Sequence, residues 1–259
     1  MSRAHARQRG LRCGRRGAPE PRQAGHAEFL DPAGHDPLER LEVVVDVDGE
    51  NAKQTAELIR ATEGTAWSYR LDITDAQACN ELSSQIANEV GLVDVLVNNA
   101  GVLLRSPIDG HDAAQQWHTT MNVNVNGPFN MTQAFLPALK SRRGTIVNVA
   151  SIQSFVAAPT SASYATSKGA VVQFTRTLAA ELGPFGIRVN AIAPGIIETA
   201  MSADLRADAG KLASFLRHVP LGRAANPDEL IGPVVFLASD AASYVTGAIL
   251  TVDGGYLVV

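Results

Sequence analysis

The sequence lacks any apolar run approaching the roughly 18 residues that a membrane-spanning helix requires. It also lacks a strong excess of either charge, because its formal net charge is −4 and its isoelectric point is about 5.9. A chain with this balance has no general electrostatic attraction to nucleic acid or to an anionic membrane surface. We therefore expect neither nucleic acid nor a membrane among its partners.

Cysteine is scarce as well. Cys13 and Cys79 are the two cysteines of the chain, and they form neither a metal-binding spacing nor a disulfide framework. The six histidines are scattered, and no two are spaced as His-x-x-x-His. We expect no metal site and a reducing, cytoplasmic location.

Valine and isoleucine are absent from Met1 to Glu42, while eight of the 22 basic residues of the chain are arginines in this stretch. Such a segment offers no strand candidate and has little to bury, so it is expected to be irregular. We hypothesise that residues 1–40 are an aberrant, out-of-frame reading of the coding sequence. Resequencing the 5′ end of the gene tests this idea, and an uninterrupted frame would refute it.

From Leu41 onward, short hydrophobic runs alternate with segments typical of helices. With 259 residues, 46% of them hydrophobic, residues 41–259 are long enough for one sizeable α/β domain. The predicted strands are Val43–Asp46, Ala66–Leu71, Val93–Asn98, Gly144–Ser151, Gly186–Ile192 and Gly247–Val252. A long helix is predicted from Asp112 to Lys140, interrupted at Gly127–Pro128 because proline breaks helix interiors.

One stretch carries a recognisable chemistry. Tyr164 and Lys168 are four residues apart in a helix-compatible run, so both side chains lie on one helix face. A neighbouring ammonium favours the phenolate and is expected to lower the pKa of the tyrosine. Ser151, at the end of the preceding strand, can hold a substrate oxygen against the phenol.

Several motifs occur in a fixed order around this pair: Asn98-Asn-Ala-Gly101 after a strand, Asn124 in Asn-Val-Asn-Gly, Ser151 thirteen residues before Tyr164, and Pro194-Gly195 after another strand. Together they resemble the short-chain dehydrogenase/reductase family from about Leu41 to the C-terminus. The resemblance implies a doubly wound, Rossmann-type, mainly parallel sheet with helices on both faces. Its first β-α unit is not recognisable in this sequence.

In this family a glycine-rich turn, Thr-Gly-x-x-x-Gly-x-Gly, precedes the first helix. Gly10, Gly14 and Gly17 come within one residue of that spacing, but no hydrophobic strand precedes them. A glycine spacing alone is weak evidence, and we interpret this one as a coincidence.

The resemblance also implies roles for individual residues. Tyr164 is the general acid/base, Ser151 orients the substrate oxygen, and Lys168 assists the tyrosine and binds the nicotinamide ribose. Asn124 kinks its helix and supports a proton relay through its main-chain carbonyl, although the asparagines there could simply be kink residues. The implied cofactor contacts are Asp46, Asp72, Asn98, Ala100, Gly101, Tyr164, Lys168, Pro194, Gly195, Ile197 and Thr199, and the implied substrate contacts are Ser151, Gln153 and Tyr164.

Asp46 bears on the choice of cofactor. A carboxylate at the end of the second strand accepts hydrogen bonds from the adenosine ribose and repels a 2′-phosphate, which favours NAD(H) over NADP(H). The alternative is that Asp46 caps the following helix, a role that Asp48 could also fill. Asp75 is predicted to cap the helix after the next strand.

The expected activity is the NAD(H)-dependent interconversion of a secondary alcohol and a ketone, on a polyol, sugar or sugar acid. The resemblance overlaps with 3-oxoacyl-[acyl-carrier-protein] reductases, which are the first alternative. A second alternative is an inactive structural partner chain without a cofactor site. Residues Ala200 to Arg217 are predicted to form a substrate lid. A homo-oligomer, tetramer or dimer, is expected, with the apolar C-terminal tail at a subunit interface.

Overall fold

A computed structural model describes the backbone of residues 27–29 and the whole of residues 41–259. In these ranges seven strands alternate with eight α-helices. The strands are β1 (Ala27–Phe29), β2 (Leu41–Asp46), β3 (Thr65–Arg70), β4 (Val95–Asn98), β5 (Thr145–Val149), β6 (Arg188–Pro194) and β7 (Ile249–Val252). The helices are α1 (Gly49–Arg60), α2 (Ala76–Glu89), α3 (Ala113–Met121), α4 (Gly127–Arg142), α5 (Ala162–Leu182), α6 (Ala203–Ala207), α7 (Ala209–Leu216) and α8 (Ile231–Ala238).

The sheet consists of two hydrogen-bonded sets of strands. Strands β4, β5, β6 and β7 pair in this order, all parallel, and β2 pairs in parallel with β3. β1 pairs antiparallel with β2 and also approaches β4. In space, β1 therefore lies between β2 and β4, at the centre of the sheet.

β1 corrects one prediction. We predicted no strand before Leu41, whereas Ala27–Phe29 pairs with Val43–Val45 of β2. The reason is that strand pairing uses backbone N–H and C=O groups, which nearly every residue supplies, and an unpaired strand edge attracts such a segment. The other predictions made for residues 1–40, including those on Gly10, Gly14, Gly17 and Cys13, lie outside the described residues.

Side chains that alternate along strands β2 to β7 pack against helices on both faces of the sheet. Val44 of β2 packs with Ala52 and Ala56 of α1 on one face, and α8 covers the β4–β6 portion of that face. Val43 and Val45 point the other way, into the main core with residues of α2, α4 and α5. The predicted doubly wound arrangement with helices on both faces is confirmed.

The long helix is interrupted earlier than predicted. A π-helical segment, Asn122–Asn126, joins α3 to α4, and α4 begins at Gly127. The predicted interruption is present, but it lies just before Gly127–Pro128 and includes Asn124, where the resemblance implied a kink. Pro128 itself lies in the first turn of α4, where a missing N–H costs little. The irregularity is instead one wider turn, a form that often marks functional sites.

Helix caps follow the sequence closely. Asp75 caps α2 by accepting from the main-chain N–H groups of Gln77 and Ala78, both at 3.0 Å. Asp48 caps α1 by accepting from the main-chain N–H groups of Glu50 and Asn51, so the cap that we considered for Asp46 belongs to Asp48.

The segment predicted as a lid is largely helical, formed by the turn Ala200–Ser202 with α6 and α7. Among the described residues, no helix combines the length and apolarity needed to cross a bilayer.

A pair of glycine substitutions tests the packing at the start of β5. A Cβ at Gly144 would collide with the main-chain oxygen of Asp94, which cannot move away because it accepts from the N–H of Thr145. Gly144→Ala is expected to cost about 1–3 kcal/mol of unfolding free energy. Gly169→Ala, in the open middle of α5, is expected to gain about 0.5–1 kcal/mol. Urea unfolding measures both, and equal effects would contradict the packing argument.

Candidate active site

Three polar side chains meet where β5 ends and α5 begins. Ser151 lies two residues beyond β5, and Tyr164 and Lys168 lie on consecutive turns of α5. All three are at least nine-tenths buried, with 7%, 7% and 5% of their surface exposed. Carboxyl ends of parallel strands are the usual ligand sites of doubly wound sheets, so these side chains lie where a small molecule would bind.

Lys168 is held by the strand that it covers. Its Nζ donates to the main-chain oxygen of Val149 at 2.7 Å and lies 5.7 Å from the centre of the Tyr164 ring. Burial lowers the pKa of Lys168 from its ordinary 10.5 to about 8, because the ammonium has lost its hydration. A lysine in this state exchanges its proton near neutral pH.

The pKa of Tyr164 differs from our prediction. We expected the lysine to lower it, but the pKa is raised, and burial of the phenol is the main cause. A hydrogen bond with Ser151 and the positive charge of Arg105 act in the opposite direction. Desolvation therefore outweighs the lowering effects of Ser151 and Arg105, and the buried phenol stays protonated as a proton donor.

Asn124 is 1% exposed in the π-helical segment. Its Oδ1 accepts from the N–H of Val102 at 2.8 Å, while its Nδ2 donates to the carbonyl of Val102 at 2.9 Å and to Oγ of Ser167 at 3.0 Å. Both ends of the amide are used within the protein. The side chain thus fixes the loop after β4 against α5.

The loop after β4 comes close to this amide and to the lysine. A Cβ built on Gly101 would lie 3.2 Å from Oδ1 of Asn124 and 3.5 Å from Nζ of Lys168. The first distance is tighter than ordinary packing, and the second is an ordinary van der Waals contact. A side chain here would press on Asn124, so the glycine lets the loop after β4 pack closely against the amide and the lysine. Ala100, which precedes it, is half-buried.

Asn98 has a structural task. Its Nδ2 donates to Oδ1 of Asn148 at 2.9 Å and lies 3.4 Å from Oγ1 of Thr132, and Asn148 in turn donates to Oγ1 of Thr175 at 2.9 Å. This buried network crosses from α4 through β4 and β5 to α5. It pins the β4 turn to the neighbouring strand β5.

Two acidic residues predicted at the nucleotide end lie at the carboxyl ends of β2 and β3. Asp46 ends β2, is largely buried, and accepts from the N–H of Asp48 at 2.8 Å. Asp72 is exposed and accepts from the N–H and the hydroxyl of Thr74. Both lie at the same edge of the sheet as Ser151, on the β2–β3 side.

The segment after β6 is held firmly. Pro194 ends the strand, and a Cβ on Gly195 would lie 2.9 Å from Cα of Asp253. Ile197 is buried and bridges to Ala225, and the carbonyl of Thr199 accepts from Arg206 of α6 at 2.9 Å. The predicted lid is thereby tied to the segment expected beside the nicotinamide.

Gln153 lies in the short turn that Ser151 caps, and its Oε1 is buried without a hydrogen bond from any described residue.

Sequence analysis missed two further residues of this region, Arg105 and Ser167. Arg105 donates to Oγ of Ser161 at 3.0 Å, just before α5, and no sequence signal indicated it. Ser167 could have been noticed, because it lies between Tyr164 and Lys168 on the same helix. Within the described ranges, no three potential metal ligands come together.

The lysine provides a test by its effect on stability. Between pH 8 and pH 10.5, unfolded chains carry a proton on Lys168 that the folded protein has lost. The unfolding free energy should therefore rise with pH across this window, by up to about 3 kcal/mol. Lys168→Met should abolish this rise, and the exposed-lysine variant Lys53→Met should keep it. Denaturant unfolding across the window measures it, and parallel curves for wild type and Lys168→Met would contradict the burial of a titrating lysine.

Comparisons with known proteins agree with this geometry. A family model described as enoyl-(acyl carrier protein) reductase matches residues 41–257. A 3-oxoacyl-[acyl-carrier-protein] reductase of Thermotoga maritima is 39% identical over 214 residues, covering 82% of this chain and 86% of that protein. A galactitol 2-dehydrogenase (L-tagatose-forming) of Cereibacter sphaeroides is 44% identical over 214 residues, covering 80% and 83%.

A solved structure is equally similar. The gluconate 5-dehydrogenase of Burkholderia cenocepacia J2315, in complex with NADP and tartrate, superposes with a TM-score of 0.81 at 36% identity and covers 84% of this chain and 85% of its own. The family model, the two relatives and this fold point the same way, and the chain belongs to the short-chain dehydrogenase/reductase family.

Proposed function

We propose that this chain is an NAD(H)-dependent oxidoreductase that interconverts a secondary alcohol and a ketone, with a polyol, a sugar or a sugar acid as substrate. The observation that carries the proposal is the meeting of Ser151, Tyr164 and Lys168 in a nearly water-free position at the carboxyl end of β5. A phenol, a hydroxyl and an ammonium so placed can hold one oxygen atom and move one proton to or from it.

Each side chain has one task in this chemistry. The hydroxyl of Ser151 orients the substrate oxygen toward the phenol of Tyr164. During reduction Tyr164 donates a proton to that oxygen, and during oxidation it accepts the proton. Lys168 favours the phenolate once the proton has left, because its ammonium is desolvated and close to the ring. Burial of all three groups strengthens these interactions by excluding water.

The residues present fit a nicotinamide cofactor. Lys168 and Tyr164 would hold the hydroxyls of the nicotinamide ribose, and Gly101 lets the loop after β4 lie close to Lys168. The other residues that would hold the cofactor are Asp46, Asp72, Asn98, Ala100, Pro194, Gly195, Ile197 and Thr199. When bound, the nicotinamide supplies or accepts the hydride. Of this set, Asn98 acts through the backbone that it fixes, since its amide donates into the core network.

Asn124 completes the proposed proton path. Pro128 has no N–H, so the pairing from residue 128 to the carbonyl of Asn124 that a regular helix would make is absent. In this proposal that carbonyl holds a water molecule that links Lys168 to solvent. The π-helical form of Asn122–Asn126 supports this role over that of simple kink residues.

Two groups support a hydroxylated, acidic substrate. The Oε1 of Gln153 has no hydrogen-bond donor among the described residues, so a rotation of this side chain would let it accept from a substrate hydroxyl. Arg105 adds a positive charge near Tyr164 that suits a carboxylate. The relatives named for galactitol and gluconate support the same substrate class. A 3-oxoacyl thioester is the alternative substrate, and the relative named 3-oxoacyl-[acyl-carrier-protein] reductase supports it.

The preference for NAD(H) depends on Asp46. Its carboxylate, at the carboxyl end of β2, disfavours a 2′-phosphate. Arg70, the residue paired with Asp46 in β3, is the competing influence, because its guanidinium lies against the carbonyl of Val47. The Burkholderia structure contains NADP. The ratio of activities with NADH and NADPH is therefore the quantity that decides between the effects of Asp46 and Arg70.

A second candidate function is an inactive structural partner chain. In doubly wound folds the pyrophosphate binds at the N-terminus of the helix that follows the central parallel strand. Here the strand between β2 and β4 is the antiparallel β1, whose carboxyl end lies at the opposite edge of the sheet. Residues 1–40, which we interpret as aberrant, would then have removed cofactor binding.

Assembly as a homotetramer or dimer stays a prediction, and so does a cytoplasmic location. Sedimentation velocity of the full chain checks the oligomeric state.

The catalytic assignment is tested with Tyr164→Phe. Wild-type protein should bind NADH, seen by nicotinamide fluorescence, and turn over members of a panel of polyols, sugar acids and a 3-oxoacyl thioester. The variant should lose about 10²–10⁴-fold in kcat while NADH binding weakens by less than about tenfold. Phe129→Leu, on the exposed side of α4, is the control. Equal turnover in Tyr164→Phe would remove Tyr164 from the mechanism, and a folded wild type that binds no NADH would favour the inactive partner chain.

The cofactor preference is tested with Asp46→Ser. Wild type should favour NADH over NADPH at least tenfold in kcat/KM, and the variant should lose most of that preference because the charge repelling the phosphate is gone. Asp48→Asn removes a negative charge two residues away and keeps the helix cap, so it should leave the ratio nearly unchanged. A wild-type preference for NADPH, or equal ratios in the two variants, would overturn the assignment.

A further inference from the structure

Ser167 connects three parts of the site through one hydroxyl. It lies between Tyr164 and Lys168 in α5 and is completely buried. Its Oγ donates to the carbonyl of Tyr164 at 2.7 Å and accepts from Nδ2 of Asn124 at 3.0 Å. A hydroxyl has one proton, and a carbonyl can only accept. Ser167 therefore faces Asn124 as an acceptor, and this polarity requires the NH₂ end of the amide to face α5.

The orientation of Asn124 has consequences for the loop after β4. With Nδ2 directed toward Ser167 and the carbonyl of Val102, Oδ1 lies beside the N–H of Val102. The same Oδ1 would be 3.2 Å from a Cβ on Gly101, and Nζ of Lys168 would be 3.5 Å from it. The distances among Gly101, Asn124 and Lys168 are thus set partly by the anchor that Asn124 has on α5.

We propose that Ser167 is a positioning residue that acts through Asn124: its hydroxyl locks the π-helical segment and the Gly101–Val102 backbone onto the helix that bears Tyr164 and Lys168. This inference rests on the proposed function for its effect on catalysis. Its structural part, the locking of Val102 by way of Asn124, stands without it. Ser167 itself contacts no reacting group.

The same helix provides a matched control. The hydroxyl of Thr175, also completely buried, donates to the carbonyl of Val171 at 2.8 Å and accepts from Nδ2 of Asn148 at 2.9 Å. Thr175→Val and Ser167→Ala therefore each remove one buried hydroxyl that joins an α5 carbonyl to an asparagine amide. They differ in the asparagine that is released, Asn148 in the core or Asn124 at the site.

The first measurement is hydrogen–deuterium exchange of the full 259-residue protein. Ser167→Ala should speed exchange at the Val102 amide about tenfold, because its acceptor Asn124 is no longer anchored. Thr175→Val should leave Val102 unchanged. Asn124→Ala should speed exchange at Val102 as well, and adding Ser167→Ala to it should change nothing further. Unchanged exchange at Val102 in Ser167→Ala, or an additive effect in the double variant, would overturn the proposal.

The second measurement is turnover. Ser167→Ala should lower kcat about tenfold and shift the pH profile of kcat, whereas Thr175→Val should keep kcat within about twofold and keep the profile. In the Asn124→Ala background, Ser167→Ala should have no further effect on kcat. Equal losses with and without Asn124 would mean that Ser167 acts by another route and would refute the proposal. If the wild type turns over no substrate, the proposed function fails, and the exchange experiment alone decides the role of Ser167.

Discussion

A lysine ammonium removed from water is the constraint on which the rest of this site depends. Nζ of Lys168 has the carbonyl of Val149 as a hydrogen-bond acceptor and the face of Tyr164 nearby. A buried charge with so little compensation is unfavourable, and the low pKa of Lys168, about 8, expresses that cost. The fold meets it by fixing β5, whose last residue supplies the acceptor, between two parallel neighbours and beneath α5.

The support for that arrangement is largely polar and entirely internal. Behind the reactive groups, Asn98, Asn148 and Thr175 link strands β4 and β5 to α5, and closer to them Asn124 and Ser167 link the β4 loop to the same helix. Hydrogen-bonded asparagines are directional, whereas aliphatic packing tolerates small shifts. Two asparagine bridges on one helix therefore fix its position along the sheet more strictly than a wholly apolar contact would.

Sequence reasoning reached the parts of the structure that depend on local pattern. The alternation of hydrophobic runs gave the strands from β2 to β7, and short polar caps such as Asp75 gave helix starts, because these features depend on nearby residues. The spacing of Ser151, Tyr164 and Lys168 indicated that the three side chains would come together, and they do so at the carboxyl end of β5. A kink at Asn124 was expected from the resemblance, but its π-helical form was not, and the short β1 was missed because backbone pairing leaves no signature in side chains. The raised pKa of Tyr164 could not be foreseen either, since desolvation depends on the complete packing.

The antiparallel β1 divides the hydrogen-bond ladder of the sheet, because among the described residues the set β1–β2–β3 and the set β4–β7 have no shared ladder. Ser151, Tyr164 and Lys168 belong to the second set, and Asp46 and Asp72 lie beside the first. Such a seam is a natural boundary between units that open independently. Opening along it would separate the end proposed to bind the nucleotide from the end proposed to transfer the proton, while each set of strands kept its own main-chain pairing. A dinucleotide that contacts both sets of strands would then hold them together. Binding would make the two sets unfold more cooperatively than the main-chain pairing of the described residues alone does.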